Sequence, residues 1–110
     1  MSDRRDRFAE IEQAWVDARD HYEDDRKRAS GKIEKAAVDA NHNAVFEAYS
    51  AALDSALSRN SPEVETVCQA LGRANKDVIK ARDDLVAFAA LLGKLRTATA
   101  LALDLVSKAA

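Results

Sequence analysis

The sequence predicts an all-α fold, an antiparallel bundle of three long helices over about residues 3–28, 32–59 and 62–109 in one domain spanning 1–110. Three observations predict it. The composition is 47% hydrophobic and 33% charged with only 5% aromatic residues, one proline and three glycines, the bias of long helices and coiled coils. Apolar residues recur at alternating spacings of three and four, which keeps them on one helical stripe. Asn60-Ser61-Pro62-Glu63 carries the signature of a helix start.

The first helix rests on Phe8, Ile11, Trp15, Ala18 and Tyr22, with Asp3 and Asp6 at the end where a helix dipole favours negative charge. It runs to the basic cluster Arg26-Lys27-Arg28 and stops at Ala29-Ser30-Gly31. The stripe then resumes in a shifted phase through Ile33, Ala37, Val45, Phe46, Tyr49, Leu53 and Leu57, and a phase shift at a glycine favours a break there. A tight turn at 59–61 follows, in which Asn60 takes the left-handed conformation, Ser61 caps the next helix and Pro62 occupies its first position. Glu63 and Glu65 complement the dipole of that helix.

Beyond the turn, Val64, Val67, Leu71, Ala74, Val78, Ala81, Leu85, Phe88, Leu92, Leu95, Thr99, Ala102 and Val106 form one continuous stripe, read as a single helix or two collinear ones. Gly93 is the one candidate interruption. If the chain reverses at Gly31, Trp15 lies near Phe46 and His42, and Phe8 near Leu53. If it runs on, residues 3–59 and 62–110 form one long hairpin. Both arrangements place Gly72 opposite Tyr49, and the reversal is the preferred reading.

The last quarter carries the expected function. Leu101, Leu103 and Leu105 fall on both sides of a helix, so no single stripe buries them all. In a three-helix bundle this segment projects about 25 Å past its partners at roughly 1.5 Å per residue. The expected interaction face is therefore Leu85, Phe88, Leu92, Leu95, Leu101, Leu103, Leu105 and Val106, covered by a second copy in a homodimer. A membrane span over the same segment is rejected, because Lys94 and Arg96 would each cost about 2.5 to 3.5 kcal/mol near the bilayer centre.

Other functions find little support in the residues. Seventeen Lys and Arg against nineteen Asp and Glu leave a formal net charge of −2, which gives no reason to seek nucleic acid. Lys32 and Lys35 extend the basic cluster, but acidic residues interleave with it and no aromatic is placed for base stacking. Glu23 and Lys27, and Asp24 and Arg28, read instead as helical ion pairs. The single Cys68 suggests packing and a cytoplasmic, reducing compartment. No signal peptide is read at the N-terminus, which has no apolar run.

Asp39 and His42, and Asp17 and His21, share helix faces, yet neither is the Glu-x-x-His pair of metal-binding bundles. His42 capping a Trp15 cluster is the favoured alternative. Trp15, Tyr22 and Phe8 read as core rather than as a ligand pocket. No catalytic residue, cofactor or metal ligand is expected, and the chain is read as a non-enzymatic helical interaction or scaffold protein that self-associates. The alternatives are a small adaptor or chaperone-like protein docking on a partner helix or lipid surface, and a metal- or cofactor-binding bundle.

Overall fold

In the computed structural model, which describes residues 2–110, five helices follow one another: α1 (Arg4–Asp20), α2 (Tyr22–Arg28), α3 (Gly31–Leu53), α4 (Pro62–Asp83) and α5 (Phe88–Ala109). The all-helical expectation holds, and the three-helix count does not. The segment expected as one helix over 62–109 is a hairpin, and the expected first helix is interrupted at His21.

The α4–α5 reversal falls at Asp84–Ala87 rather than at Gly93. The Val86 N–H donates to the Ala81 carbonyl and the Leu85 N–H to the Arg82 carbonyl, both at 3.2 Å. This is the Schellman pattern that ends many helices, normally with glycine in its left-handed position. Here that position is Leu85, at φ +52. A left-handed conformation costs an L-residue roughly 1–2 kcal/mol, and Leu85 recovers little by packing, being 81% exposed. Leu85→Gly is therefore expected to stabilise the fold by about 1 kcal/mol, part of the relief being lost to glycine's greater freedom in the unfolded chain. A raised midpoint in urea denaturation checks it.

The other end also departs from expectation. Helix α3 stops at Leu53, and residues 54–61 form a loop where a helix to 59 and a tight turn were expected. Leu57, not Asn60, takes the left-handed conformation, at φ +47, and its side chain is fully buried beneath the helices. The Arg7 guanidinium donates to the Leu57 carbonyl and to Asn60 Oδ1, and the Arg59 N–H donates to the Ala109 carbonyl at 3.0 Å. The loop thus closes the end of the bundle. The Ser61 cap is as expected, its side chain accepting from the Val64 N–H at 3.1 Å, with Pro62 in the first turn.

Gly31, at φ +69, turns the chain back, which excludes the long-hairpin alternative. Glu34 secures the new helix by reaching back to the Ser30 N–H at 2.7 Å. Helices α1 and α3 are neighbours, as are α4 and α5, while α3 and α4 stand diagonally opposite. The 54–61 loop therefore crosses under the bundle. Helices α1 and α4 run parallel in a nearly constant register, marked by Ser2 with Glu65, Glu10 with Asn75 and Asp17 with Arg82. Helices α1 and α5 also touch. Ala14, Ala18, Ala98 and Ala102 are buried in them, small enough for an alanine-rich chain to close a core. Gly72 faces Glu10 of α1 rather than Tyr49: a Cβ there would come within 2.8 Å of Glu10 Oε2.

Candidate interaction surfaces

The face expected along α5 does not survive folding as one surface. Phe88, Leu92, Leu95, Leu105 and Val106 are buried in the chain's own core. Leu101 is half-buried, Leu103 is 38% exposed, and Leu85 projects from the α4–α5 turn. The physical reason is the reversal at 84–87, which gives α5 both α4 and α3 as neighbours where the three-helix reading has it project past its partners. Leu105 and Leu101 then serve the fold directly.

Among the described residues the remaining large apolar side chains that are exposed are Ile33, Phe46, Leu53 and Ile79. Phe46 and Leu53 lie on the seam between α1 and α3, where aromatic rings form a ladder. Phe8 and Tyr49 sit 5.9 Å apart between centroids, Tyr49 and Trp15 6.0 Å, Trp15 and Phe46 5.0 Å, Trp15 and His42 5.2 Å, and His42 and Tyr22 4.5 Å. This is the Trp15, Phe46 and His42 neighbourhood that reversal at Gly31 predicts. At its lower end Arg4, Arg5, Phe8, Ala52 and Leu53 line a cleft of about 240 Å³.

The polar clusters hold the fold together. Arg82 of α4 clamps the kinked first arm: its Nη1 and Nη2 reach Asp25 of α2 at 2.7 and 2.9 Å, and Nη2 and Nε reach Asp17 of α1 at 2.9 and 3.1 Å. Burial opposes its charge, but the hydrogen bonds to Asp25 and Asp17 outweigh that and raise its pKa above the ordinary arginine value. His21 places Nδ1 2.8 Å from the Asp17 carbonyl oxygen at the break between α1 and α2. That carbonyl also accepts from the His21 N–H at 3.2 Å, so one acceptor serves both the backbone and the imidazole.

Asp39 is likewise engaged. It accepts from Arg26 Nε at 2.9 Å and from the Tyr22 hydroxyl, which holds its carboxyl below the usual carboxylate range. The hydrogen bond to Asp39, with burial and the nearby negative charge, raises the Tyr22 phenol. Removing the negative charge from that acceptor in Asp39→Asn is expected to bring the Tyr22 titration down towards the ordinary tyrosine value near 10. Ultraviolet titration compared with Tyr22→Phe, to identify the Tyr22 signal, checks it. Among the described residues no three His, Cys, Asp or Glu are grouped to hold a metal ion.

Arg28 forms no pair with Asp24. It donates to the Val86 carbonyl at 2.9 Å and lies 5.3 Å from the centre of the Phe88 ring, tying α2 to the α4–α5 turn. Nor do Glu23 and Lys27 form the expected ion pair. Cys68 is buried, and burial pushes its thiol up, away from the reactive thiolate. No described helix is long and apolar enough to cross a membrane.

No family model matches the chain, and neither a curated protein nor a solved structure is similar enough to count as a match. The residues themselves carry the functional reading. The left-handed Leu85 gave no sequence signal, because only glycine or asparagine announces that conformation.

Proposed function

We propose that this chain is a non-catalytic helical interaction protein that works by self-association. The observation that carries the reading is Leu85, a large apolar side chain held in water on a strained backbone that the fold alone would assign to glycine. Strained residues cluster at functional contacts, and Leu85, unlike the left-handed Leu57, is not repaid by burial within the fold. The polar groups support the non-catalytic part: Arg82, Asp17 and Asp25 saturate one another, Asp39 is held by Arg26 and Tyr22, and the Cys68 thiol is disfavoured as a thiolate.

A second reading is favoured by Phe46, 48% exposed on the aromatic ladder: the α1–α3 seam receives a helix of another protein, which makes the chain an adaptor. Light scattering behind size exclusion, from micromolar to millimolar protein, separates the two. Self-association predicts a mass that rises with concentration. A strict monomer throughout contradicts it and leaves the adaptor reading.

A further inference from the structure

We propose that copies of this chain join head to tail, the Leu85 side chain of one copy entering the Arg4–Arg5–Phe8–Ala52–Leu53 cleft of the next. The proposal rests on the self-association reading and gives it a surface, a partner and a polarity.

The two halves of the contact lie at opposite ends of the same molecule. Leu85 is in the α4–α5 turn, at the end where Arg28 meets Val86. The cleft lies between the first turn of α1 and the last turn of α3, at the end closed by the 54–61 loop. The bundle is 41 Å long, so a chain cannot fill its own cleft. A second copy can.

Size and chemistry agree. A cleft of about 240 Å³ is small for a drug-sized ligand but ample for one branched aliphatic side chain. Its floor is apolar, with Phe8 half-buried and Leu53 56% exposed. Its rim carries Arg4 and Arg5, which form no ion pair among the described residues. Both sit in the first turn of α1, where positive charge is disfavoured by the helix dipole, so the isolated fold gains nothing from them there. The projecting turn supplies the opposite sign: Asp83 is exposed and unpaired among the described residues, and Asp84 is shared with Lys80 at 2.8 Å. A guanidinium rim with an apolar floor is complementary in charge and polarity to a leucine preceded by two carboxylates.

Because each copy carries one projection and one cleft, the contact is heterologous and repeats from copy to copy until a ring closes or the chain ends. That property provides the test. Leu85→Gly removes the projection, and its raised thermal midpoint shows that the fold is intact. Leu53→Lys spoils the cleft at an exposed position, and circular dichroism shows that its helices remain. Sedimentation velocity up to millimolar protein is expected to show wild type growing with concentration and each variant staying monomeric. An equal mixture of the two variants is expected to form a dimer and nothing larger, because only one projection and one cleft remain in it. Arg4→Glu with Arg5→Glu, favourable to the helix, is expected to weaken wild-type association at least tenfold.

Wild type that associates while Leu85→Gly associates equally well overturns this contact and leaves self-association standing. A mixture that stays monomeric while wild type grows overturns the head-to-tail arrangement. A wild type that is monomeric throughout overturns both.

Discussion

Arg82→Ala is expected to lower stability by about 3–5 kcal/mol, a large part of what a domain of this size possesses. The Arg82 side chain is only 12% exposed, and the two carboxylates that it bridges, Asp17 and Asp25, are buried. Removing it leaves two negative charges close together in a poorly solvated site. It also unties α4 from both halves of the kinked first arm, since Asp17 belongs to α1 and Asp25 to α2. Lysine does not rescue the site, because one ammonium cannot reproduce the fork that serves both carboxylates. Lys80→Ala, which breaks an exposed pair with Asp84, sets the scale for comparison: solvent screens that pair, and little or no loss is expected there. A shift of the urea midpoint at unchanged slope measures both.

Leu105→Ala is expected to cost about 2–5 kcal/mol, whereas Leu103→Ala, two residues away, costs about 0.5 kcal/mol or less. Leu105 is fully buried and Leu103 partly exposed, on a helix whose sequence makes them look alike. Were the α5 leucines an interface between copies rather than a core, Leu105→Ala would change the association constant and leave the unfolding of the dilute monomer unaltered. Denaturation repeated at successively lower protein concentration, until the midpoint no longer changes with dilution, isolates the folding contribution.

That pair of leucines shows how much of the molecule could be read from the sequence. Periodicity located nearly every helical segment, the Ser61–Pro62 start was unambiguous, and Gly31 marked a reversal that puts Trp15 against Phe46 and His42. What periodicity could not reveal was the break at Asp84–Ala87, because the apolar spacing runs through it unaltered. Neither usual signal is present: the left-handed position holds Leu85 instead of glycine, and Ala87 caps α5 with no side-chain hydrogen bond. With the break silent in the sequence, the last helix reads as too apolar for its neighbours, and residues that form the core read as an interface. The early end of α3 had a weak signal in the polar residues Asp54, Ser55 and Ser58, outweighed by Leu57, whose apolar side chain reads as the next turn of helix.

The candidate surface was readable in the same uneven way. The sequence points to Leu85, but for a place on a stripe rather than for its projection from a turn. Arg4 and Arg5 carry no signal of the cleft, since charge at a helix start is legible only as favourable or unfavourable to the dipole. Their position beside Phe8 and Leu53 arises from the antiparallel pairing of α1 and α3, a long-range contact.

The bundle and both of its surfaces depend on the chain reversing at 84–87, so that α5 packs within its own bundle. Pulsed electron spin resonance between nitroxides at Ser58→Cys and Ala110→Cys, in a Cys68→Ala background diluted with unlabelled protein, measures this directly. The Arg59 N–H to Ala109 carbonyl bond places both labels at one end of the bundle, so their separation is expected within its 25 Å width. A continuous helix from 62 to 109 would put them roughly 70 Å apart at about 1.5 Å per residue, and a distance of that order would contradict the fold and the surfaces built on it.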